Sequence, residues 1–313
     1  MNRACSLLVY TVIVCGCARK GGPSGADAGK TLAEARKGFA TKLVRRESAR
    51  EPVVEPPLGV FRKVSYDAPP GKLAAYLSPD PGDGKKHPAI VWITGGDCNS
   101  IDDGCWKAAP PSNDQTAGAF RKAGIVMMFP SLRGGNDNPG VKEGFLGEID
   151  DVVAAGDYLA KQEFVDPQRI YLGGHSTGGT VALLAAEYGG TTFRAIFSFG
   201  PVADVAGYDP EYLPFDTKNR RELELRAPGL WLPAIKVPTF VFEGTTEGNL
   251  DSLQAMKRIS TNPNVHFYPV KGATHFSILF PVNKLLAEKV LQDTGPATNI
   301  AFTDDELNRL FGR

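Results

Sequence analysis

The hydrophobic pattern from residue 58 to 295 alternates short apolar runs with longer amphipathic segments. Two runs at 59–66 and 72–79 flank the segment DAPPG, and this arrangement predicts an antiparallel hairpin. The next run, PAIVWITGG at 88–96, is apolar almost throughout, which is typical of a strand buried on both faces.

The remaining pattern predicts strands that alternate with helices. The predicted strands are 124–131, 169–174, 193–200, 238–244 and 265–270, and the predicted helices are 114–123, 146–162, 177–188, 250–259 and 276–291. Such alternation predicts an α/β fold, with a mostly parallel sheet covered by helices on both faces. Ligands of open sheets bind at the carboxyl ends of the strands, so we expect functional residues directly after the strands.

The first residues have the pattern of an export signal. The apolar run 7–14 is too short to span a bilayer and has the form of a signal-peptide core. It ends in VCGC, which resembles a bacterial lipoprotein signal and implies removal of residues 1–16 and a lipid on Cys17. Ordinary secretion or an uncleaved anchor are the alternatives. We therefore expect an exported protein of a bacterial cell envelope, held to a membrane by the lipid.

Residues 17–57 predict a flexible tether followed by a basic, helix-permissive segment at 30–50. A Pro-rich boundary then leads into a compact domain at 58–295, with an unpatterned, cap-like insertion at 200–237 and a C-terminal extension at 296–313. Lys and Arg number 35, as do Asp and Glu, so the net charge does not favour a nucleic-acid partner. The oligomeric state is left open.

Cys98 and Cys105 remain once the signal and Cys17 are set aside. Exported compartments permit disulfides, and two cysteines seven residues apart can close a loop. We expect a disulfide here; two free thiols are the alternative.

The segment YLGGHSTGGT contains a G-x-S-x-G motif centred on Ser176. It follows a predicted strand and opens a predicted helix, which is the setting of a nucleophile elbow. Its glycines let the strand and helix approach closely, so that the turn presents the serine oxygen above the sheet. We therefore predict that Ser176 is a nucleophile.

A serine hydroxyl needs a base, and the chain has four histidines. His275 follows the last predicted strand, so it is the predicted base. His87 and His266 are predicted to lie at the surface or in packing, and His175 is expected to point away from the serine.

The acid that orients the base should also follow a strand. We favour Glu247, in the loop after FVFEG, and keep Asp251, Glu243 and Asp204 as alternatives in that order. The chain order of serine, acid and histidine is that of hydrolases with this elbow.

Two backbone donors are needed for the oxyanion of an acyl-transfer reaction. Thr177 follows the nucleophile, and the second donor is expected from Gly96 or Asp97 after the strand VWITGG. The expected Cys98–Cys105 disulfide would hold this loop.

The segments VWITGGD, FPSLRGGNDNPG, RIYLGGHSTGG, FEGTTE and GATHFS together resemble the α/β-hydrolase superfamily. The closest resemblance is to the catalytic domain of prolyl oligopeptidases and to dienelactone-hydrolase-like relatives. It implies an eight-stranded sheet, Ser176, Glu247 and His275 as the triad, and Arg133 as a residue that braces the site. Family members usually have Asp in the acid position, where this chain has Glu. The segment before residue 58 is predicted to be too short for the β-propeller of the large peptidases, so none is expected.

The expected function is that of a serine hydrolase that cleaves a small ester or a short peptide through an acyl-enzyme, without metal or cofactor. A prolyl oligopeptidase-like serine peptidase is the first alternative. A surface-anchored binding protein that keeps the fold but lacks activity is the second.

Overall fold

The structure is a computed structural model that describes residues 27, 29–190 and 192–312. The predicted signal 1–16 and the predicted lipid site Cys17 lie outside the described residues. The strands are β1 (Arg62–Ala68), β2 (Gly71–Leu77), β3 (His87–Ile93), β4 (Val126–Pro130), β5 (Val165–His175), β6 (Ala195–Phe199), β7 (Thr239–Thr246) and β8 (Val265–Thr274). The α-helices are α1 (Leu32–Ala35), α2 (Gly118–Lys122), α3 (Glu148–Ala160), α4 (Thr177–Tyr188), α5 (Arg220–Glu224), α6 (Pro228–Trp231), α7 (Leu250–Ile259), α8 (Leu279–Gln292) and α9 (Asp304–Arg309).

The strands form one sheet of eight in the order β1-β2-β4-β3-β5-β6-β7-β8. The first two strands pair antiparallel as the predicted hairpin, and β2 pairs antiparallel with β4. Every pairing from β4 to β8 is parallel. This is the sheet of an α/β-hydrolase, and the predicted fold class is confirmed.

Successive side chains of β3 enter two different hydrophobic clusters, because side chains alternate across a strand. Val91 and Ile93 belong to one cluster, together with residues of α1, α3, α4 and α7. Ile90 and Trp92 belong to the other, together with residues of α2, α8 and α9. Helices therefore cover both faces, and the apolar run at 88–96 is explained by burial on both sides.

Residues 30–50 pack onto the insertion and do not form the basic helix that their composition permits. The tether predicted before them lies almost entirely outside the described residues. Within 30–50 the α-helix is limited to α1, where Leu32 is fully buried. Farther along, Lys42 N–H donates to the Glu222 carboxylate at 2.6 Å, and Leu43 forms a β-bridge with Phe215. Helix-permissive composition is a weak preference, and these long-range contacts override it.

The insertion at 200–237 contains short helices and no strand among its described residues. Besides α5 and α6 it has 3₁₀ turns at Val205–Gly207, Pro210–Tyr212 and Leu232–Ala234. Two further 3₁₀ turns, Asp103–Cys105 and Pro111–Asn113, precede α2. The C-terminal residues also join the core, since the ring of Phe302 packs edge-on against Phe240 and Phe242 at 5.3 Å.

A search of the described residues finds no helix with both the length and the apolar character needed to cross a membrane.

Candidate active site

Ser176 lies at the turn between β5 and α4. Its backbone has φ 56° and ψ −116°, a conformation that non-glycine residues rarely adopt and that is associated with functional sites. Its N–H donates to Phe199 O of the neighbouring strand β6 at 2.7 Å. The chain therefore holds a partly exposed serine in a strained turn at the carboxyl edge of the sheet.

Two glycines of the motif are required by close backbone approach. A Cβ atom on Gly174 would lie 2.4 Å from Gly178 O, and one on Gly178 would lie 2.4 Å from Ile93 O. Real Cβ atoms do not come that close to an oxygen. The turn between β5 and α4 therefore depends on glycine at both positions, as the motif predicts.

His275 follows β8 directly and is paired with a buried carboxylate. Its Nδ1 lies 2.9 Å from Oε2 of Glu243, which is fully buried. The same carboxylate accepts from Gly244 N–H at 2.7 Å and from Asn249 N–H at 2.9 Å. Because a carboxylate accepts from Nδ1–H, the lone pair of His275 is on Nε2, which is the arrangement of a general base.

The structure brings Glu243 to His275 rather than the predicted acid, so the prediction of Glu247 is wrong. Glu247 is exposed and sits at φ 68° in the turn after β7. Asp251 is also exposed, and Asp204 caps a 3₁₀ turn by accepting from Ala206 N–H. The reason is where the neighbouring strand ends. β6 ends at Phe199, which pairs with Phe242 of β7, so Glu243 is the first residue of β7 beyond the end of β6.

Ser176 and His275 lie at the same edge of the sheet. A Cβ on Gly200, the residue after β6, would lie 2.4 Å from Cε1 of His275. His175, the neighbour of the serine, has Nε2 2.9 Å from the backbone oxygen of His275. The turn with the serine and the loop with the histidine are therefore in contact.

The loop after β3 packs against the serine turn. Thr177 Oγ1 donates to Gly96 O at 2.9 Å, and a Cβ on Gly95 would lie 3.3 Å from Cβ of Ser176. The backbone N–H groups of Gly96, Asp97 and Thr177 donate no hydrogen bond within the described part of the chain. Their assignment as oxyanion donors stays a prediction.

Cys98 and Cys105 are free and buried, so the expected disulfide is wrong. Cys98 belongs to the hydrophobic cluster on one face of the sheet and Cys105 to the cluster on the other. Burial raises the pKa of each thiol to about 12. The spacing of seven residues allows a loop to close, but it does not determine the direction in which either cysteine side chain points.

Arg133 lies in the loop after β4 and anchors it by ion pairs. Its guanidinium donates to Asp151 at 2.9 and 2.8 Å and to Glu143 at 2.7 Å. Its backbone oxygen accepts from Asn99 in the loop after β3 at 2.8 Å. Arg133 therefore connects the loop of the predicted oxyanion donors to α3.

The aromatic residues of the insertion and of the loop after β8 divide into packing residues and partly exposed ones. Trp231 and Phe215 are buried, and the guanidinium of Arg226 lies 4.0 Å from the centroid of the Phe215 ring. Phe276 is 43% exposed, with its ring centroid 5.0 Å from that of His275. The hydroxyl of Tyr208 lies 3.0 Å from Thr180 Oγ1 of α4.

No group of three or more His, Cys, Asp or Glu side chains among the described residues is arranged to hold a metal ion.

Residues 111–226 match the model of the prolyl oligopeptidase family, and this stretch includes the serine turn. No curated protein matches the chain in sequence. The predicted resemblance is confirmed by this match and by the fold.

Solved structures of hydrolases share the fold at low sequence identity. A puromycin-hydrolyzing peptidase of Mycobacterium tuberculosis has TM-score 0.59 and 19% identity over 75% of this chain, which spans 39% of that one. A 2,6-dihydroxy-pseudo-oxynicotine hydrolase has TM-score 0.60 and 17% identity over 78% of this chain and 70% of its own. An esterase of Pyrobaculum calidifontis has TM-score 0.53 and 16% identity over 75% of this chain and 84% of its own.

These findings define the class of fold, which is that of the α/β-hydrolases. More particularly, residues 111–226 are similar in sequence to the prolyl oligopeptidase family. The chain spans about two fifths of the length of the mycobacterial peptidase.

Proposed function

We propose that Ser176, His275 and Glu243 act together as a nucleophile, a general base and an orienting acid. The observation that carries the proposal is the strained serine turn in contact with a histidine whose Nδ1 is held at 2.9 Å by a buried carboxylate. The three residues occur in the chain order of α/β-hydrolases.

In the proposed reaction, Nε2 of His275 takes the proton of the Ser176 hydroxyl while Oγ attacks the substrate carbonyl carbon. The protonated imidazole then gives that proton to the leaving alcohol or amine as the bond to the carbonyl breaks. Water attacks the resulting acyl-enzyme with His275 again as base, which releases the carboxylic acid and restores the serine. Glu243 accepts the hydrogen of His275 Nδ1 and stabilises the imidazolium.

Thr177 N–H and the N–H of Gly96 or Asp97 are the proposed oxyanion donors. Thr177 is the first residue of α4, where N–H groups lack intrahelical acceptors and the helix dipole favours negative charge. The bond from Thr177 Oγ1 to Gly96 O keeps the two donor segments together. Loss of one such donor typically costs about 3–4 kcal/mol of transition-state stabilisation.

We propose a small ester or a short peptide or amide as the substrate class. The exposed ring of Phe276 beside His275 offers an apolar surface to an acyl or leaving group. Two candidate activities lie within this class, ester cleavage and amide cleavage. Solved structures of similar fold are named as a peptidase and as an esterase, and the family match at 111–226 supports amide cleavage. A panel of p-nitrophenyl esters and aminoacyl-naphthylamides separates the two by the ratio of kcat/KM.

The first test is Ser176→Ala, which removes the proposed nucleophile with little change in volume. We expect loss of ester turnover by at least about 10³-fold, and loss of labelling by a fluorophosphonate. The melting temperature should stay close to that of the wild type. Unchanged labelling of the folded variant would exclude Ser176, and a wild type that turns over neither class would favour the inert binding protein.

A further inference from the structure

His175, the residue before the proposed nucleophile, is a fully buried imidazole with a polar partner at each ring nitrogen. Its Nε2 lies 2.9 Å from the backbone oxygen of His275. Its Nδ1 lies 2.9 Å from Nε2 of Gln115. The two imidazole rings have centroids 4.5 Å apart.

The partners fix the tautomer of His175. A backbone carbonyl can accept but not donate, so Nε2 of His175 must carry the hydrogen. Nδ1 then has a lone pair, which accepts from the amide nitrogen of Gln115. The second amide hydrogen of Gln115 is used by Asn113 Oδ1 at 2.8 Å, so the donor and acceptor assignments agree.

The chain of hydrogen bonds continues to the loop after β3. Oε1 of Gln115 accepts from Gly95 N–H at 3.3 Å. Gly95 directly precedes a proposed oxyanion donor, and a Cβ placed on it would lie 2.9 Å from Nδ1 of His175. The donation therefore runs in one direction, from Gly95 through Gln115 and His175 to the backbone of His275.

Burial, with a smaller effect of the neighbouring His275, lowers the pKa of His175 to about 3. A neutral ring keeps Nδ1 as an acceptor, so the chain of hydrogen bonds persists at neutral pH.

We propose that His175 is a positioning residue that ties the oxyanion loop to the backbone of the catalytic base. The proposal rests on the proposed function of Ser176 and His275. His175 does not touch the reacting atoms: it fixes where the His275 loop sits relative to the serine turn and to Gly95. Loss of the His175 side chain removes the hydrogen bonds to the His275 carbonyl and to the Gln115 amide together. The base and the oxyanion donors are then no longer held in a fixed position relative to each other.

The test compares three variants at this network. His175→Phe keeps a ring but removes both hydrogen bonds, and His175→Gln keeps an N–H donor near the position of Nε2. Gln115→Met breaks the link to Gly95 and leaves His175 in place. His87→Gln is the matched control, because His87 lies at the start of β3 with its Nε2 3.0 Å from Asp83 in the preceding turn.

For His175→Phe we expect kcat on a p-nitrophenyl ester and the rate of fluorophosphonate labelling to fall about 10–100-fold, with KM within about twofold. His175→Gln should recover most of this loss, Gln115→Met should lose about tenfold or less, and His87→Gln should match the wild type. A kcat for folded His175→Phe equal to that of the wild type would overturn the proposal. A kcat of His175→Gln as low as that of His175→Phe, with both variants at the same melting temperature, would also overturn it.

A spectroscopic readout separates this proposal from the proposed function. In ¹⁵N-histidine spectra, the signal lost in His175→Gln should be that of a neutral ring protonated at Nε2, from pH 5 to 8. A ring protonated at Nδ1, or one that titrates in this range, contradicts the network even if His175→Phe does not fold. If wild type is not labelled at Ser176 but the Nε2–H tautomer is found, the catalytic proposal fails and the network stands as a structural one.

Discussion

Two buried glutamates of this molecule differ in their hydrogen-bond partners. Glu243, on β7, has partners for both oxygens: His275, Gly244 and Asn249. Glu187, near the end of α4, has no hydrogen-bond partner for either oxygen among the described residues. Both are fully buried.

The comparison teaches that the partners, rather than burial, distinguish a carboxylate that can orient a base. Burial alone raises the pKa of Glu187 well above its ordinary value, so it is held as a neutral acid. Helix α4 is apolar along most of its length, and Glu187 lies among its buried residues. A neutral, unpartnered carboxyl can destabilise the fold, but it cannot orient a base.

The largest expected effect is that of Glu243→Gln. The amide cannot stabilise an imidazolium, and it can present its NH₂ to Nδ1 and thereby select the wrong tautomer. We expect kcat to fall by roughly 10³–10⁴-fold, as when a triad carboxylate becomes an amide. Steady-state kinetics on a p-nitrophenyl ester measures it.

Glu247→Gln is the matched control for this change, because it makes the same replacement four residues away on an exposed turn. It should retain kcat within about twofold. If Glu247→Gln were the inactive variant and Glu243→Gln the active one, the assignment of the acid would be reversed.

The second change, Glu187→Met, removes the unpartnered carboxyl with a side chain of similar length. A buried polar group without a hydrogen bond costs about 1–3 kcal/mol, so we expect the free energy of unfolding to rise by about 1–2 kcal/mol. Denaturant unfolding measures it, and kcat should be unchanged. A variant less stable than the wild type would mean that Glu187 has a stabilising interaction, and the contrast with Glu243 would be lost.

The last prediction concerns the pH dependence of stability. Because the pKa of Glu187 is higher in the folded than in the unfolded chain, the folded state holds an extra proton between the two values. Its contribution to stability therefore falls as the pH rises above about 4.5, by at most about 1.4 kcal/mol per pH unit. Unfolding of wild type and Glu187→Gln between pH 4.5 and 7 should show wild type losing stability faster. Parallel curves would contradict the raised pKa.

Much of the fold could be predicted from local pattern. Helices α4 and α7 have the predicted bounds, and each predicted strand matches one in the sheet, although β5 begins four residues earlier, at Val165. These elements have strong periods or apolar runs flanked by turn residues. The serine turn was predictable for the same reason, because glycine spacing and element order are both local properties.

The remaining features depend on tertiary structure. The position of Glu243 relative to the sheet edge is set by the end of β6, which counting along β7 does not reveal. The direction of the Cys98 and Cys105 side chains depends on which face of the sheet each joins. The contacts that residues 30–50 make with the insertion come from partners such as Glu222, about 180 residues away. A signal for Glu243 was present in the sequence, since an acidic residue in the apolar run TFVFEG is unusual for a buried strand.

The most direct test is mapped fluorophosphonate labelling of wild type, Ser176→Ala, Glu243→Gln and Glu247→Gln, followed by peptide mass spectrometry. We predict one adduct on the peptide that contains Ser176, none in Ser176→Ala, a labelling rate reduced by about 10²-fold or more in Glu243→Gln and a wild-type rate in Glu247→Gln. An adduct at another residue, or fast labelling of Glu243→Gln beside slow labelling of Glu247→Gln, would contradict the proposed triad.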